Sequence, residues 1–486
     1  MSEKIDLRLL PIAVPGFDTV LGGGLPELSF NIIGGAPGSG KTTFAQQIMF
    51  GLASPQRRAL FFTAMGEPPV KMLRYQQQFS FFDFDKVGDA VNFISLASQV
   101  EEGNYDAVLA RILEEVRTHG PALVFIDSFR SFVQSVRADH QDVAALQNFV
   151  QQLVTHMTGW NATTFLIGEY QANEADENPI FTVADGIIWL SQHVQRNVMS
   201  RKLQVIKMRG QRQRPGLHAF RIDRNGIEVF PRHLPAIEPP YLDASAQAAR
   251  TRLSSGVPVL DDMLGGGFPD GHIVLVSGPT GSGKTILATE FLAAGARNGE
   301  TGVVALFERN PTQLMNARLD ELVRSGQVSL ASASALDLSI DETLHDLVSL
   351  IERTKATRMV LDSIPGFMMS LAPEAREDFA ESLYRMATAL ASKGVTLLMT
   401  TEMEDRFEEL RFSPYGSVVL ADVVIMLRYV EHQAELHTVI SVVKVRGSKH
   451  SRQIRTFHIA DDGVVIGTGP APFEGILLGN VRRTDS

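Results

Sequence analysis

One eight-residue pattern, G-x-x-x-x-G-K-T, occurs twice in this chain of 486 residues, as Gly35-Ala36-Pro37-Gly38-Ser39-Gly40-Lys41-Thr42 and, 243 positions later, as Gly278-Pro279-Thr280-Gly281-Ser282-Gly283-Lys284-Thr285. The segment before it repeats at the same displacement: Phe17-Asp18-Thr19-Val20-Leu21-Gly22-Gly23-Gly24-Leu25-Pro26 returns as Leu260-Asp261-Asp262-Met263-Leu264-Gly265-Gly266-Gly267-Phe268-Pro269. Further on, Phe125-Ile126-Asp127-Ser128 returns as Val360-Leu361-Asp362-Ser363, and Lys207-Met208-Arg209-Gly210 as Lys444-Val445-Arg446-Gly447, at displacements of 235 and 237. Four motifs recurring in one order mark a tandem duplication with a few residues gained or lost between the copies. A chain of this length, 44% hydrophobic, can build two cores. The expected division is 1–240 and 253–470, with 241–252 as the linker inside the Pro-, Ala- and Ser-rich stretch Pro235 to Ser255, and 471–486 as a flexible tail.

Within each copy, short apolar runs alternate with stretches of helical spacing. In the first, Ser29–Ile33, Ala59–Thr63, Ala122–Ile126, Thr163–Ile167 and Gly186–Leu190 read as buried strands, while Thr42–Leu52 and Val143–Met157 read as helices. Such alternation predicts an α/β fold in which each copy forms a mainly parallel, twisted sheet flanked by helices. Leu203–Lys207 and Ile440–Lys444, followed by a turn and by Phe220–Ile222 or Thr456–Ile459, read as antiparallel additions to those sheets.

Each G-x-x-x-x-G-K-T follows a predicted strand and opens a predicted helix, which is the setting a phosphate-binding loop needs. Its glycines let backbone N–H groups converge on phosphate oxygens, and the helix N-terminus adds favourable partial charge. The nucleotide-binding set is therefore Gly35, Gly38, Ser39, Gly40, Lys41, Thr42 and Thr43, with Gly278, Gly281, Ser282, Gly283, Lys284, Thr285 and Ile286 in the second copy. Lys41 and Lys284 are placed to reach the β- and γ-phosphates of ATP, and Thr42 and Thr285 to offer hydroxyls to Mg²⁺. Asp127 and Asp362 end apolar strands and are the candidate carboxylates of the Mg²⁺ shell. Hydrolysis also needs a carboxylate to orient the attacking water. Glu308, after Val303–Phe307, is the candidate in the second copy; in the first the matching stretch is Thr63-Ala64-Met65-Gly66-Glu67-Pro68, so the carboxylate arrives late, at Glu67. Glu169 and Glu402 end a later strand and are alternative sensors of the γ-phosphate. The two Lys-x-Arg-Gly elements can carry Lys207, Arg209, Lys444 and Arg446 on an edge hairpin to a nucleotide held by a neighbouring subunit.

The charges exclude some classes. There are 45 Lys and Arg against 55 Asp and Glu, a net charge of −10, whereas proteins that grip phosphate backbones carry a basic excess. The basic cluster Arg201, Lys202, Arg212 and Arg214 has no interleaved aromatics, so nucleic acid is disfavoured as a partner. Cysteine is absent, which removes disulfides and thiolate metal sites. The N-terminus lacks the apolar core of a signal peptide, and no run of about 18 uncharged apolar residues follows, so a soluble cytoplasmic protein without a membrane partner is expected.

Leu-Gly-Gly-Gly at 21–24 and again at 264–267, both phosphate loops, the Asp-Ser pairs, both Lys-x-Arg-Gly elements and Arg428-Tyr429-Val430-Glu431 make the chain similar to the KaiC family, ATPases with two tandem RecA-like P-loop domains whose best-known members are circadian clock proteins. The resemblance implies a homohexamer of two stacked rings, ATP with Mg²⁺ at subunit interfaces, slow hydrolysis, and a signalling protein as partner. In clock members it also implies autophosphorylation in the second ring. Two departures stand out. The paired glutamates of clock members align with Met65-Gly66 and with Glu308-Arg309, and their adjacent Ser-Thr phosphorylation pair aligns with Val418-Val419, leaving Ser417 and Ser413 as the nearest hydroxyls. Two other readings are a RecA- or DnaB-type DNA-dependent ATPase and a scaffold that ATP glues together without turnover.

Overall fold

The computed structural model describes residues 8–64, 69–101, 105–129, 143–170, 179–195, 198–232, 251–307, 316–332, 339–371, 376–406, 409–411, 417–460, 463–474 and 482–483. It forms two compact units, Met1–Arg232 and His233–Ser486.

In the first unit nine strands make one sheet: β1 (Phe30–Gly35), β2 (Ala59–Thr63), β3 (Val91–Ser95), β4 (Leu123–Asp127), β5 (Thr163–Glu169), β6 (Gly186–Gln195), β7 (Val198–Met208), β8 (His218–Asp223) and β9 (Gly226–Phe230). Their spatial order is β9-β8-β7-β6-β1-β5-β4-β2-β3. The six strands from β6 to β3 pair in parallel, and β6 to β9 form an antiparallel extension. Along β4 the side chains alternate, Leu123 and Phe125 into one core and Val124 and Ile126 into the other, as a sheet covered on both faces requires. Helix α1 (Lys41–Leu52) buries Phe44, Ile48 and Met49 in the first of these cores, while α2 (Tyr105–His119) and α3 (Val143–Gly159) cover the other face. A short helix, α4 (Pro179–Val183), leads into β6.

The second unit repeats this plan with β10 (Ile273–Gly278), β11 (Gly302–Leu306), β12 (Val328–Ser332), β13 (Arg358–Asp362), β14 (Thr396–Glu402), β15 (Val423–His432), β16 (Glu435–Val445), β17 (Arg455–Ala460) and β18 (Gly463–Ile466). The order β12-β11-β13-β14-β10-β15-β16-β17-β18 is that of the first sheet, strand for strand. Helix α5 (Lys284–Arg297) follows the phosphate loop, α6 (Ile340–Thr354) and α7 (Phe379–Ser392) cover the opposite face, and the single turn α8 (Ser417–Leu420) leads into β15. The two tandem RecA-like α/β domains expected from the sequence are thus present.

Where the copies differ in length is also visible. Ala59 pairs with Val91 in one sheet and Gly302 with Val328 in the other, so the first copy carries six additional residues between those strands. That stretch includes the aromatic run from Phe79 to Phe84, of which Phe81, Phe82 and Phe84, with Phe50 and Lys86, line a cavity of about 500 Å³. Trp160 and Trp189 are partly buried against the first unit's core, and Phe367 is fully buried in the second while Met369 is exposed. Among the described residues no helix is long and apolar enough to cross a membrane.

Candidate nucleotide sites

Both phosphate loops join the central strand of their sheet to a helix. Gly40 and Gly283 are the residues before α1 and α5, with φ of 98° and 96°, a conformation that side chains rarely adopt. A Cβ on either would also strike the outer hairpin, 2.8 Å from Ile222 in the first unit and from Phe457 in the second. The loop is therefore packed against the antiparallel extension, and only glycine fits there.

The lysines point back across their own loops. Lys41 Nζ donates to the Ala36 carbonyl at 2.7 Å, and Lys284 Nζ to the carbonyls of Gly278 and Pro279 at 2.9 and 2.8 Å. Burial pulls both ammonium groups below the usual lysine value of 10.5, opposed by the nearby carboxylates of Glu169 and Asp127 in one unit and Glu402 and Asp362 in the other. A partly desolvated cation held only by carbonyls gains from an approaching phosphate. Thr42 Oγ1 donates to Asp127 Oδ2, and Thr285 Oγ1 to Asp362 Oδ2, each at 2.7 Å. Asp362 also accepts from Thr400 Oγ1. Among the described residues, the buried hydroxyls of Ser39 and Ser282 find no hydrogen-bond partner, which leaves unmet polar capacity inside both loops.

This donor set fits Mg-ATP. No cluster of three or more His, Asp or Glu among the described residues could hold a metal alone. One hydroxyl and one carboxylate side by side suit Mg²⁺, which keeps water and takes phosphate oxygens for its other positions. Glu67 and Glu308 lie outside the described residues, as does Ser413. Glu169 and Glu402 are exposed and stand in register with Gly35 and Gly278, the first residues of the loops. Thr280 Oγ1 donates to Glu402 Oε1 at 2.7 Å, whereas Pro37 occupies the equivalent place in the first unit and has no hydroxyl.

The Lys-x-Arg pairs sit at the other end of the sheet. Strand β1 runs from Phe30 up to Gly35, and β6 runs beside it from Gly186, opposite Asn31, to Leu190, opposite Gly35. Strand β7 returns antiparallel, so Lys207 lies opposite Ile187 and Arg209 follows at the base. At about 3.3 Å per residue this places them roughly 15 Å from their own phosphate loop. Lys444 opposite Val424 repeats the placement. In both hairpins the register slips just before the lysine, so Ile206 and Val443 are the additional residues of a bulge and are left exposed. Lys207 Nζ donates to the Phe181 and Thr182 carbonyls at 3.3 and 3.2 Å, and Lys444 Nζ to those of Val418 and Ala421 at 3.3 and 2.6 Å. Burial, then the adjacent arginine, lowers both lysines from 10.5, and Asp185 or Asp422 opposes the shift.

Residues that motif reading passed over also bear on the loops. Gln192 Nε2 donates to the Pro37 carbonyl at 3.1 Å and Tyr429 OH to the Thr280 carbonyl at 3.2 Å, from matching places on β6 and β15. Val419, beside the carbonyls that hold Lys444, is 79% exposed. Of the disfavoured basic cluster, Arg201 and Lys202 lie on β7, with Arg212 and Arg214 in the connection that follows.

A family model described as "ATPase: KaiC" matches residues 10–233 and 253–471. Curated proteins named circadian clock oscillator protein KaiC are similar over nearly the full length. That of Thermostichus vulcanus is 27% identical over 99% of this chain and 93% of its own, that of Prochlorococcus marinus (strain MIT 9313) 27% over 99% and 97%, and that of Parathermosynechococcus lividus 28% over 99% and 90%.

Proposed function

The chain belongs to the KaiC ATPase family, and from that membership we propose that it binds Mg-ATP in both units and hydrolyses it slowly at the interfaces of a homohexameric double ring, whose nucleotide state regulates a signalling protein. We take 1–240 and 253–470 as the two ATPase domains, 241–252 as their linker and 471–486 as a tail.

In this reading Lys41 and Lys284 leave their loop carbonyls for the β- and γ-phosphate oxygens. Thr42 with Asp127, and Thr285 with Asp362, would hold Mg²⁺, which would supply neutralisation of phosphate charge. Glu308, and Glu67 where its loop allows, orient the attacking water. Lys207, Arg209, Lys444 and Arg446 of the adjacent subunit stabilise the charge that develops on the transferred group. The observation that carries the proposal is the separation of loop and Lys-x-Arg pair to opposite ends of one sheet, repeated in both units. On this reading a unit does not complete its own site.

Hydrolysis is assigned to the second unit in preference to clock-type autophosphorylation, because valines hold the positions of the hydroxyl pair and Val419 is exposed there. A mixing experiment tests the interface. Chains carrying Lys41→Ala with Lys284→Ala, and chains carrying Arg209→Ala with Arg446→Ala, should each be nearly inactive. Mixed and reassembled in equal amounts, they should regain about a quarter of the sites, those pairing an intact loop with an intact neighbour. Failure to regain activity despite mixed assembly would refute the shared site.

A further inference from the structure

Two aspartates outside the phosphate sites stand at matching positions and make matching contacts. Asp185 precedes β6 and Asp422 precedes β15, each 24 residues before the arginine of its Lys-x-Arg pair. The Asp185 N–H donates to the Phe30 carbonyl at 2.8 Å, and its Oδ2 accepts from the Phe30 N–H at 3.0 Å. Its carbonyl accepts from the Arg209 N–H at 2.9 Å, and its Oδ1 from the Arg209 guanidinium at 3.2 Å. Asp422 makes the same four contacts, with Ile273 at 2.8 and 3.2 Å and with Arg446 at 2.8 and 3.0 Å.

Phe30 and Ile273 open β1 and β10, the strands that end in the phosphate loops. One aspartate thus joins the first residue of the loop strand to the arginine that the hairpin presents. The carboxylate contact adds little to the fold, since Arg209 and Arg446 keep 58% and 60% of their side chains exposed, and exposed ion pairs contribute little to stability. With the Thr182 carbonyl, to which Arg209 also donates at a long 3.5 Å, it restricts where the long guanidinium can point. Arginine stabilises a phosphoryl group only from a defined position, and misplacement by about 1 Å can cost roughly 100-fold in rate.

We propose that Asp185 and Asp422 are positioning residues for ATP hydrolysis: each fixes the arginine offered to the neighbouring subunit against the base of its own phosphate-loop strand. The proposal rests on Arg209 and Arg446 acting across the interface. It ties the aim of each arginine to the strand beneath the loop of the same subunit, so that a shift of that strand moves both.

The test is a cycle on the full chain: Asp185→Asn with Asp422→Asn, Arg209→Ala with Arg446→Ala, and all four together. Asparagine keeps an acceptor for Phe30 or Ile273 but loses the charge and turns a donor toward the guanidinium. The aspartate pair should lower kcat about 10- to 100-fold, leave KM for ATP, assembly and Tm near wild type, and have no further effect once the arginines are gone. Wild-type kcat in the Asn variant, or losses that multiply in the fourfold variant, would overturn the positioning role while leaving the arginine reading intact. Wild-type turnover in the arginine variant would remove the premise, and the proposal with it. Should the Asn variant fail to assemble, Asp→Glu at both sites keeps the charge, displaces the guanidinium by a methylene, and is read by the same criteria.

Discussion

Arg358 opens β13, the strand that delivers Asp362, and is only 1% exposed. Its guanidinium donates to Glu300 at 2.7 and 3.3 Å, to the Ser254 carbonyl at 2.7 Å and to the Phe291 carbonyl at 2.9 Å, and lies 4.7 Å from the Phe291 ring centroid. Room for it comes from Gly295 on α5, where a Cβ would sit 2.6 Å from the arginine. The first unit solves the same contact with leucines, Leu123 in place of Arg358 and Leu52 in place of Gly295. Arg358→Leu alone takes the cation from Glu300, which is left with neutral donors such as Thr357 Oγ1, removes a donor from the Ser254 and Phe291 carbonyls, and leaves a void. Breaking a buried pair costs about 3–5 kcal/mol, and the 23% exposure of Glu300 puts the loss near the lower end, about 3 kcal/mol. Adding Gly295→Leu fills the void, worth roughly 1.5–3 kcal/mol, and removes a helical glycine, worth up to about 1 kcal/mol, so the double variant should lie within about 1 kcal/mol of wild type. Urea unfolding of the full chain reads this, because both tryptophans, Trp160 and Trp189, are in the first unit. Their fluorescence transition should stay in place while the part of the circular dichroism transition due to the second unit moves. A single-variant loss under about 1 kcal/mol, or a double variant no more stable than the single, would refute the reasoning.

Three further outcomes follow from the sites. Bound phosphates raise the lowered pKa of Lys41 and Lys284, so ATP uptake is coupled to retaining a proton; affinity should be full below the depressed free-state value and fall as pH rises through it, before the usual 10.5. Titrating a fluorescent ATP analogue from about pH 7 to 10 checks this, and an equal fall in the Lys41→Arg, Lys284→Arg protein, whose cations do not titrate in that range, would contradict it. Thr42→Val with Thr285→Val, which keeps the shape but removes the hydroxyls beside Asp127 and Asp362, should raise the Mg²⁺ needed for half-maximal turnover roughly 10- to 100-fold; an unchanged Mg²⁺ titration would remove the threonines from the metal shell. After incubation with Mg-ATP, the intact mass should show no phosphate adduct, and an adduct lost on Lys284→Ala would restore autophosphorylation and direct attention to Ser417 and Ser413.

Much of this was legible in the sequence because the motifs are local. A phosphate loop and a strand-ending Asp declare themselves within a few residues, and their repetition located both sheets. Edge strands β3 and β12 were not read: Val91–Ser95 has only its first residue buried, and half-covered edges carry no continuous apolar run. The hairpin strand was expected over Leu203–Lys207 but extends from Val198 to Met208, because backbone pairing carries the ladder on through Ser200, Arg201 and Lys202, where no apolar run marks it. Asp185 and Asp422 look like ordinary residues before a strand, and only the register brings them to the arginines. Their common spacing of 24 residues was the available signal. Arg358 has no local mark of burial; the clue is the exchange of two leucines for an arginine and a glycine between the copies.

The placement of loop and arginine at opposite ends of each sheet gives every subunit a direction. On the proposed reading, association is head to tail, and a heterologous contact of this kind either closes on itself or continues as an open chain with one incomplete half-site at each end. Turnover then counts finished junctions, not molecules. A lone subunit would be silent, an open row would always fall one site short in each tier, and only closure makes the number of working sites equal the number of chains. Specific activity should therefore rise with protein concentration and level off where rings are complete.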